Sequence, residues 1–259
     1  FTTVSSTGSF SEDITGLQRN EQYFYRIRGE SGGDVDTGSA QSFTTDNISV
    51  STVTPPSSKG VFSLTLRAEV DTFTGDNTIT AGIELVQGGG DFANATVKSE
   101  TLTSTGIVEK QFTGLSEDTS YDFKAFAEVD GVRVEGSVKT DSTLSTTMSI
   151  SPTSHNFGTS DGQSTKTFTV SNTGTASLSG LSASGLSGDF SENGLNSSTL
   201  SPGGSTNVTV TYDPSSISDD SDTLNISANE TASASASVSG SGIPEDPSIS
   251  VSPSSHDFG

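Results

Sequence analysis

VFSLTLRAEV, residues 61–70, sets the fold class. Phe62, Leu64, Leu66, Ala68 and Val70 occupy every second position. Successive strand side chains point to opposite faces, so these five share one face of a predicted strand. The same period of two runs through TITAGIELV (78–86) with Ile79, Ala81, Ile83 and Leu85. It continues in YDFKAFAEV (121–129) with Tyr121, Phe123, Ala125, Ala127 and Val129, where Phe126 interrupts the polar face. Further on it marks Phe168 and Val170, then Val208, Val210 and Tyr212, then Leu224, Ile226 and Ala228, and finally Ala232, Ala234, Ala236 and Val238. Ser, Thr and Asn fill the outward positions, and Gly, Asn, Asp and Pro clusters between the runs supply turns. No window carries an apolar stripe at helical spacing, so helices beyond a turn or two are not expected. The predicted class is all-β: short strands, each with one apolar face, in two sheets packed face to face.

Composition agrees with this pattern. Ser and Thr together number 87 of 259 residues, against 56 for Leu, Ile, Val and Phe. With 32 acidic and 11 basic residues the net charge is −21, which repels phosphate backbones and anionic headgroups, so neither nucleic-acid nor membrane-surface binding is expected, and no direct membrane insertion either, for want of an apolar span. There is no Cys, hence no disulfide and no thiolate metal site. No run of 18 apolar residues reads as a transmembrane helix, and Phe1 opens a Thr/Ser-rich run, as expected of an excerpt.

Two motifs recur. MSISPTSHNFG (148–158) returns in SISVSPSSHDFG (248–259), with Pro253, His256, Phe258 and Gly259 lying 101 residues beyond Pro152, His155, Phe157 and Gly158. TGLQRNEQYFYRIR (15–28) returns as TGLSEDTSYDFKAF (113–126), 98 residues on. Unrelated motifs, each repeating at one small-domain length, predict two kinds of module in tandem. Composition shifts place the boundaries at TTDNIS (44–49), DSTLSTT (141–147) and GSGIPEDPS (240–248), where Pro244 and Pro247 stiffen the junction.

The segment from Val61 to Thr140 resembles a bacterial fibronectin type III domain. Its FTGLSEDTSYDFKAFAEVDGVRVEGSVKT (112–140) looks like the last three strands of that family, with Tyr121 in place of the corner tyrosine. ITGLQRNEQYFYRIRGESGGDVDTGSAQSFTT, from Ile14, looks like the end of a preceding copy, whose natural chain is expected to continue before Phe1. SISPTSHNFG, TFTVSNTGTASL, GDF, LSPGGSTNVTVTYDP and VSGSG, in that order, resemble the Hydin-like or ASH module, related to the major sperm protein fold and found in bacterial "choice-of-anchor" proteins. The resemblances imply tandem immunoglobulin-like β-sandwiches. Residues 1–45 would end one fibronectin type III-like domain, 46–143 form a second, 144–243 form the Hydin-like/ASH sandwich, and 244–259 give a linker and the first strand of a further repeat.

Candidate chemistry is sparse. His155 and His256 hold equivalent positions in successive modules, so they are expected about a domain apart and in structural roles rather than in a zinc site, dyad or triad. The GGG at 88–90 lacks the Gly-Lys-Ser/Thr of a phosphate cradle and reads as a flexible loop. Carboxylates cluster at Asp219, Asp220 and Asp222, at Glu245 and Asp246, and at Asp34 with Asp36, all expected in loops or a linker. Calcium takes six to eight oxygens, which makes the first two groups calcium candidates, although no Asp-x-Asp-x-Asp-Gly loop is present. Six Asn-x-Ser/Thr sites (Asn47, Asn94, Asn196, Asn207, Asn225, Asn229) are what so Ser/Thr-rich a chain produces by chance, and no spacing singles out Lys110 or Lys124 for an intramolecular amide bond.

The expected function is a non-catalytic segment of a large extracellular or cell-surface bacterial protein, a stalk, fibre or filament that extends an adhesive or anchoring element. Its partners would be neighbouring domains of the same chain and like chains in a fibre. The alternative is a spacer or carbohydrate-binding accessory region of a secreted polysaccharide-degrading enzyme. Sugar binding usually needs exposed aromatic platforms, and Tyr23, Tyr25, Tyr121 and Tyr212 are expected in core or corner roles. A third reading is a subunit that polymerises by strand addition.

Overall fold

The structure, a computed structural model, describes residues 9, 11–18, 21–45, 47–74, 78–243 and 252. It is all-β, as the alternation predicts, and the described residues fall into two compact units. One comprises the described residues within 1–59, 63–113 and 120–142; the other comprises those within 60–62, 114–119 and 143–259.

The first unit begins with β1 (Gln22–Tyr25), β2 (Arg28–Ser31), β3 (Asp34–Thr37) and β4 (Gln41–Thr44). β1 and β4 form an antiparallel ribbon, and β2 and β3 a hairpin turning through Gly32 and Gly33 at positive φ. Then follow β5 (Ile48–Lys59), β6 (Ser63–Phe73), β7 (Ile79–Gln87), β8 (Thr96–Leu102), β9 (Gly106–Thr113), β10 (Ser120–Val129), β11 (Val132–Glu135) and β12 (Lys139–Ser142). One sheet has the order β5-β6-β9 and the other β11-β10-β7-β8, with β12 also on β10. Alternate residues meet in the core: Leu64, Leu66, Ala68 and Val70 of β6, Ile79 and Ile83 of β7, Val108 and Phe112 of β9, and Phe123 and Ala125 of β10. Buried Thr52 of β5 accepts the Ala125 N–H on its hydroxyl at 2.9 Å, so a side chain of one sheet satisfies a backbone donor of the other. Asp130 and Gly131, both at positive φ, close the tight β10–β11 hairpin.

Phe62 departs from the expectation. It is 55% exposed, because β6 begins at Ser63 and a bend at 61–62 takes Phe62 out of the strand's phase.

The second unit contains β13 (Met148–Ser151), β14 (Ser154–Ser160), β15 (Ser164–Asn172), β16 (Ser182–Ser184), β17 (Phe190–Glu192), β18 (Ser205–Tyr212), β19 (Asp219–Ser227) and β20 (Ser233–Gly242). Two four-stranded sheets, β13-β15-β18-β17 and β14-β20-β19-β16, enclose Phe168, Val170, Leu178, Val208, Val210, Leu224 and Ile226. β14 runs parallel to β20, with a register break between Asn156 and Thr159. Gly158 sits in that break at φ 74° and donates its N–H to Asn156 Oδ1 at 2.8 Å. At one end of the core an aromatic series packs together: Phe190 stacks on Tyr212 at 4.7 Å between centroids, and Phe157 lies 5.6 Å from Tyr212. Gly240 is required beneath this ring, since a Cβ there would lie 2.5 Å from Tyr212 Cε1.

Residues 143–147 of this unit are tied along their length. Thr143 donates its hydroxyl to the Ser116 carbonyl at 2.7 Å, and Leu144 its N–H to Gly60 at 3.0 Å. The Ser145 carbonyl accepts from Thr175 and Ala176, and the Thr147 carbonyl from Thr173 and Gly174. Thr146 offers both its N–H and its hydroxyl to the Glu117 carboxylate, the latter at 2.5 Å. Thr143, Ser145 and Thr146 are buried, so part of the Ser/Thr run at 141–147 is interior structure.

Candidate functional site

The acidic group of β19 is the place where sequence chemistry and structure can be compared directly. Asp219 begins the strand, so SDDSD is not the loop that the residue types suggested. Its β-pairing with β20 sets Asp219 opposite Ser241, Asp220 opposite Gly240 and Asp222 opposite Val238. Pleating then turns Asp219 to the face opposite Asp220 and Asp222, so the three carboxylates do not share one face. Asp219 accepts the Ser241 hydroxyl. Asp220 accepts the Tyr212 hydroxyl at 2.7 Å and the Ser218 hydroxyl at 2.9 Å. Asp222 accepts the Ser187 N–H at 2.8 Å, the Ser187 hydroxyl at 3.0 Å and the Thr223 N–H at 2.8 Å. Among the described residues no three His, Asp or Glu side chains form a group able to hold a metal ion. Glu245, Asp246 and His256 lie outside the described residues. Asp34 and Asp36 also stand on a strand, β3, rather than in a loop.

Tyr212 is fully buried, and its pKa is pushed up to about 12, first by burial and then by its bond to the Asp220 carboxylate. His155 makes an edge-to-face contact with Phe157 at 4.6 Å, and partial burial, with some help from the Lys166 charge, holds its pKa below the usual imidazole value. Its ring extends the aromatic series of the core. Ser154, Asn156, Asp222, Thr223 and Ser237 line an open groove of about 530 Å³ beside it.

In the first unit, the glycines at 88–90 close on the protein's own carboxylate. Gly89 donates its N–H to Asp122 at 2.8 Å and Thr140 its hydroxyl at 2.6 Å, which together lower the Asp122 pKa, the hydroxyl foremost. Lys124 lies 2.5 Å from Glu135 and 3.5 Å from Glu84, while Arg133 pairs with the same two carboxylates. The hydrogen bond from Lys124 is the main reason Glu135 titrates low. Arg133 also covers the Phe126 ring at 3.9 Å, which explains an aromatic residue on an otherwise polar face. Lys110 pairs with Glu100 at 2.8 Å.

Two features escaped the sequence reading. Asn172, 1% exposed, donates from Nδ2 to the carbonyls of Ala176 (2.8 Å) and Leu200 (3.0 Å) and accepts the Gly174 N–H at 2.9 Å. The only sequence signal for this clamp is a polar residue ending an apolar alternation inside SNTG. The second is aromatic exposure on the β1–β4 ribbon. Tyr25 is 47% exposed and Phe24 72%, with Tyr23 stacked on Phe43 at 6.0 Å, so Tyr25 has no core role. Alternation marks the faces of a strand but does not say whether anything covers them.

These features define immunoglobulin-like β-sandwich modules whose polar chemistry is largely internal. Residues 146–241 match the family model of the HYDIN/CFA65/VesB-like, Ig-like domain, which supports the Hydin-like reading of that stretch and a non-catalytic structural class. Three solved structures are similar, each with a TM-score of 0.33. The sensor domain of the anti-sigma factor RsgI4 in Pseudobacteroides cellulosolvens is 16% identical, over 38% of this chain and 95% of that one. The ASH/PapD-like domain 7 of human CEP192 is 16% identical, over 38% and 87%. A protein of unknown function from Porphyromonas gingivalis is 13% identical, over 75% and 99%. No curated protein matches the chain. Among the described residues no helix is long and apolar enough to cross a membrane.

Proposed function

We propose that the chain is a structural segment of a large extracellular bacterial surface protein, a stalk or fibre that extends an adhesive or anchoring element. The observation that carries this reading is where the reactive side chains are spent. Asp122, Asp189, Asp220, Asp222, Glu117 and Glu230 each accept hydroxyl or backbone N–H groups of their own unit, so these carboxylates hold strands and loops together. Outward Ser and Thr bond across strands in the same way, as Thr167 does to Thr209 and Ser182 to Ser227. Such a surface is hydrated and acidic, which favours solubility and discourages lateral edge pairing. Residues 46–143 serve in this reading as a fibronectin type III-like module, supported by the β5-β6-β9 and β11-β10-β7-β8 sheets, and residues 1–45 as the end of another.

Electron microscopy of the full-length protein or of its cell surface tests the proposal. Thin fibres beaded at about 35–45 Å, the length of a sandwich of this size, support it; compact particles with a short tail reject it. Those particles would favour the second reading, an accessory region of a secreted polysaccharide-degrading enzyme, for which the exposed Phe24, Tyr25 and Phe43 are the specific observation. Pull-down on insoluble polysaccharide, with a Tyr25→Ala/Phe43→Ala double variant as control, measures that alternative.

A further inference from the structure

Asn193-Gly194 is the chain's only Asn-Gly pair. It lies just after β17, at the edge of the β13-β15-β18-β17 sheet. Three hydrogen bonds organise it. The Gly194 N–H donates to the carboxylate of Glu192. Asn193 Oδ1 accepts the Thr209 N–H at 2.8 Å, and the Asn193 N–H donates to the Thr209 carbonyl at 3.2 Å. No described residue bonds Asn193 Nδ2, and the side chain is exposed. Gly194, at φ 78°, presents its backbone nitrogen without a Cβ beside it.

We propose that this arrangement is a built-in site of self-modification, at which Asn193 closes on the Gly194 nitrogen to a succinimide and opens to aspartate and isoaspartate. Each group has a place in the reaction. The nucleophile is the Gly194 amide nitrogen, whose proton is already directed at the Glu192 carboxylate, a general base. The electrophile is Asn193 Cγ, and the Thr209 N–H bound to Oδ1 stabilises the negative charge that gathers there. Glu192 takes the Gly194 proton as the N–Cγ bond forms, and returns it to Nδ2 as the Cγ–Nδ2 bond breaks, so ammonia leaves. One water then adds to either imide carbonyl. Opening at one gives aspartate; opening at the other gives isoaspartate, with an extra methylene in the backbone. No oxidant, reductant or metal takes part. The product adds one negative charge at the β17 edge, and the isoaspartyl form displaces the Thr209 pairing.

The test uses the full chain, held at neutral pH over weeks and sampled by peptide mass mapping that separates aspartyl from isoaspartyl products. A synthetic peptide spanning 189–198 serves as the unstructured reference. Conversion of Asn193 in the folded chain should outpace the peptide, and Glu192→Gln should slow it about a hundredfold, the lower end of what a positioned base contributes. Should the peptide react as fast as the folded chain, the fold does not assist and the proposal fails. Equal rates in the Glu192→Gln variant and wild type would likewise remove Glu192 as the base. Hydrogen exchange at Thr209 confirms that the variant keeps its fold, and the wild-type comparison with the peptide decides the matter if it does not.

Discussion

Replacing Asn172 by Asp changes one side-chain atom and inverts the chemistry of a buried polar group that makes three hydrogen bonds in the second unit. Nδ2 now donates to Ala176 and Leu200; a carboxylate oxygen would instead face both carbonyls. Two buried acceptors would lose their donor, at ~1–3 kcal/mol each, so the loss should be about 2–6 kcal/mol before any cost of burying charge. Against a domain stability of ~5–15 kcal/mol, that is enough to unfold a substantial fraction of molecules. The new carboxyl also gains a direction with pH. Burial and facing carbonyls favour its protonated form, whose one O–H replaces one lost donor, so its folded pKa lies above its unfolded value. The variant is therefore least impaired at low pH and worsens as pH rises through that folded pKa. Asn172→Leu, which lacks all three polar bonds, should be impaired without pH dependence from this site. Hydrogen exchange by mass spectrometry reads each unit separately, and β6, β7 and β10 in the first unit serve as an internal control. Exchange from Val170, Leu178 and Leu200 that stays within about 0.5 kcal/mol of wild type in both variants would refute the clamp, because surface-like sites show that range.

Three other expectations are independent of this one. Gly240→Ala, whose Cβ would sit 2.5 Å from the Tyr212 ring, should cost ~1–3 kcal/mol or more by overpacking, seen as a lower denaturant midpoint for the second unit. Thr52→Val keeps the shape of the side chain but orphans the buried Ala125 N–H, and should cost ~1–3 kcal/mol in the first unit alone. Tyr212 ionises near pH 10 when unfolded and about 12 when folded, so its contribution is complete below pH 10 and is lost as pH rises towards 12. Denaturant midpoints taken across that interval should fall in wild type and fall less in Tyr212→Phe; parallel curves would contradict the assignment.

Much of the fold was legible because a strand's period is two and the buried face is apolar. Leu64 to Val70, Ile79 to Leu85, Tyr121 to Val129 and Val208 to Tyr212 all take the buried face that their alternation predicts. The errors arise where covalent neighbours say little about phase or cover. Phe62 belongs to the alternation by spacing but lies one residue before the strand begins. Asp219, Asp220 and Asp222 carry the composition of a loop, yet the β19–β20 pairing and the Tyr212 hydroxyl draw them into a strand.

Sequence by itself determined the class and the strand faces, because hydrophobic burial acts on every second residue of a strand. Only tertiary structure decided what the polar groups do. Glu117 meets Thr146, Glu230 meets Ser179 and Asp189 meets Ser215 across 29, 51 and 26 residues of chain. Such bonds depend on distance and angle between distant segments, which the pairing of strands sets and the local pattern of residues does not encode.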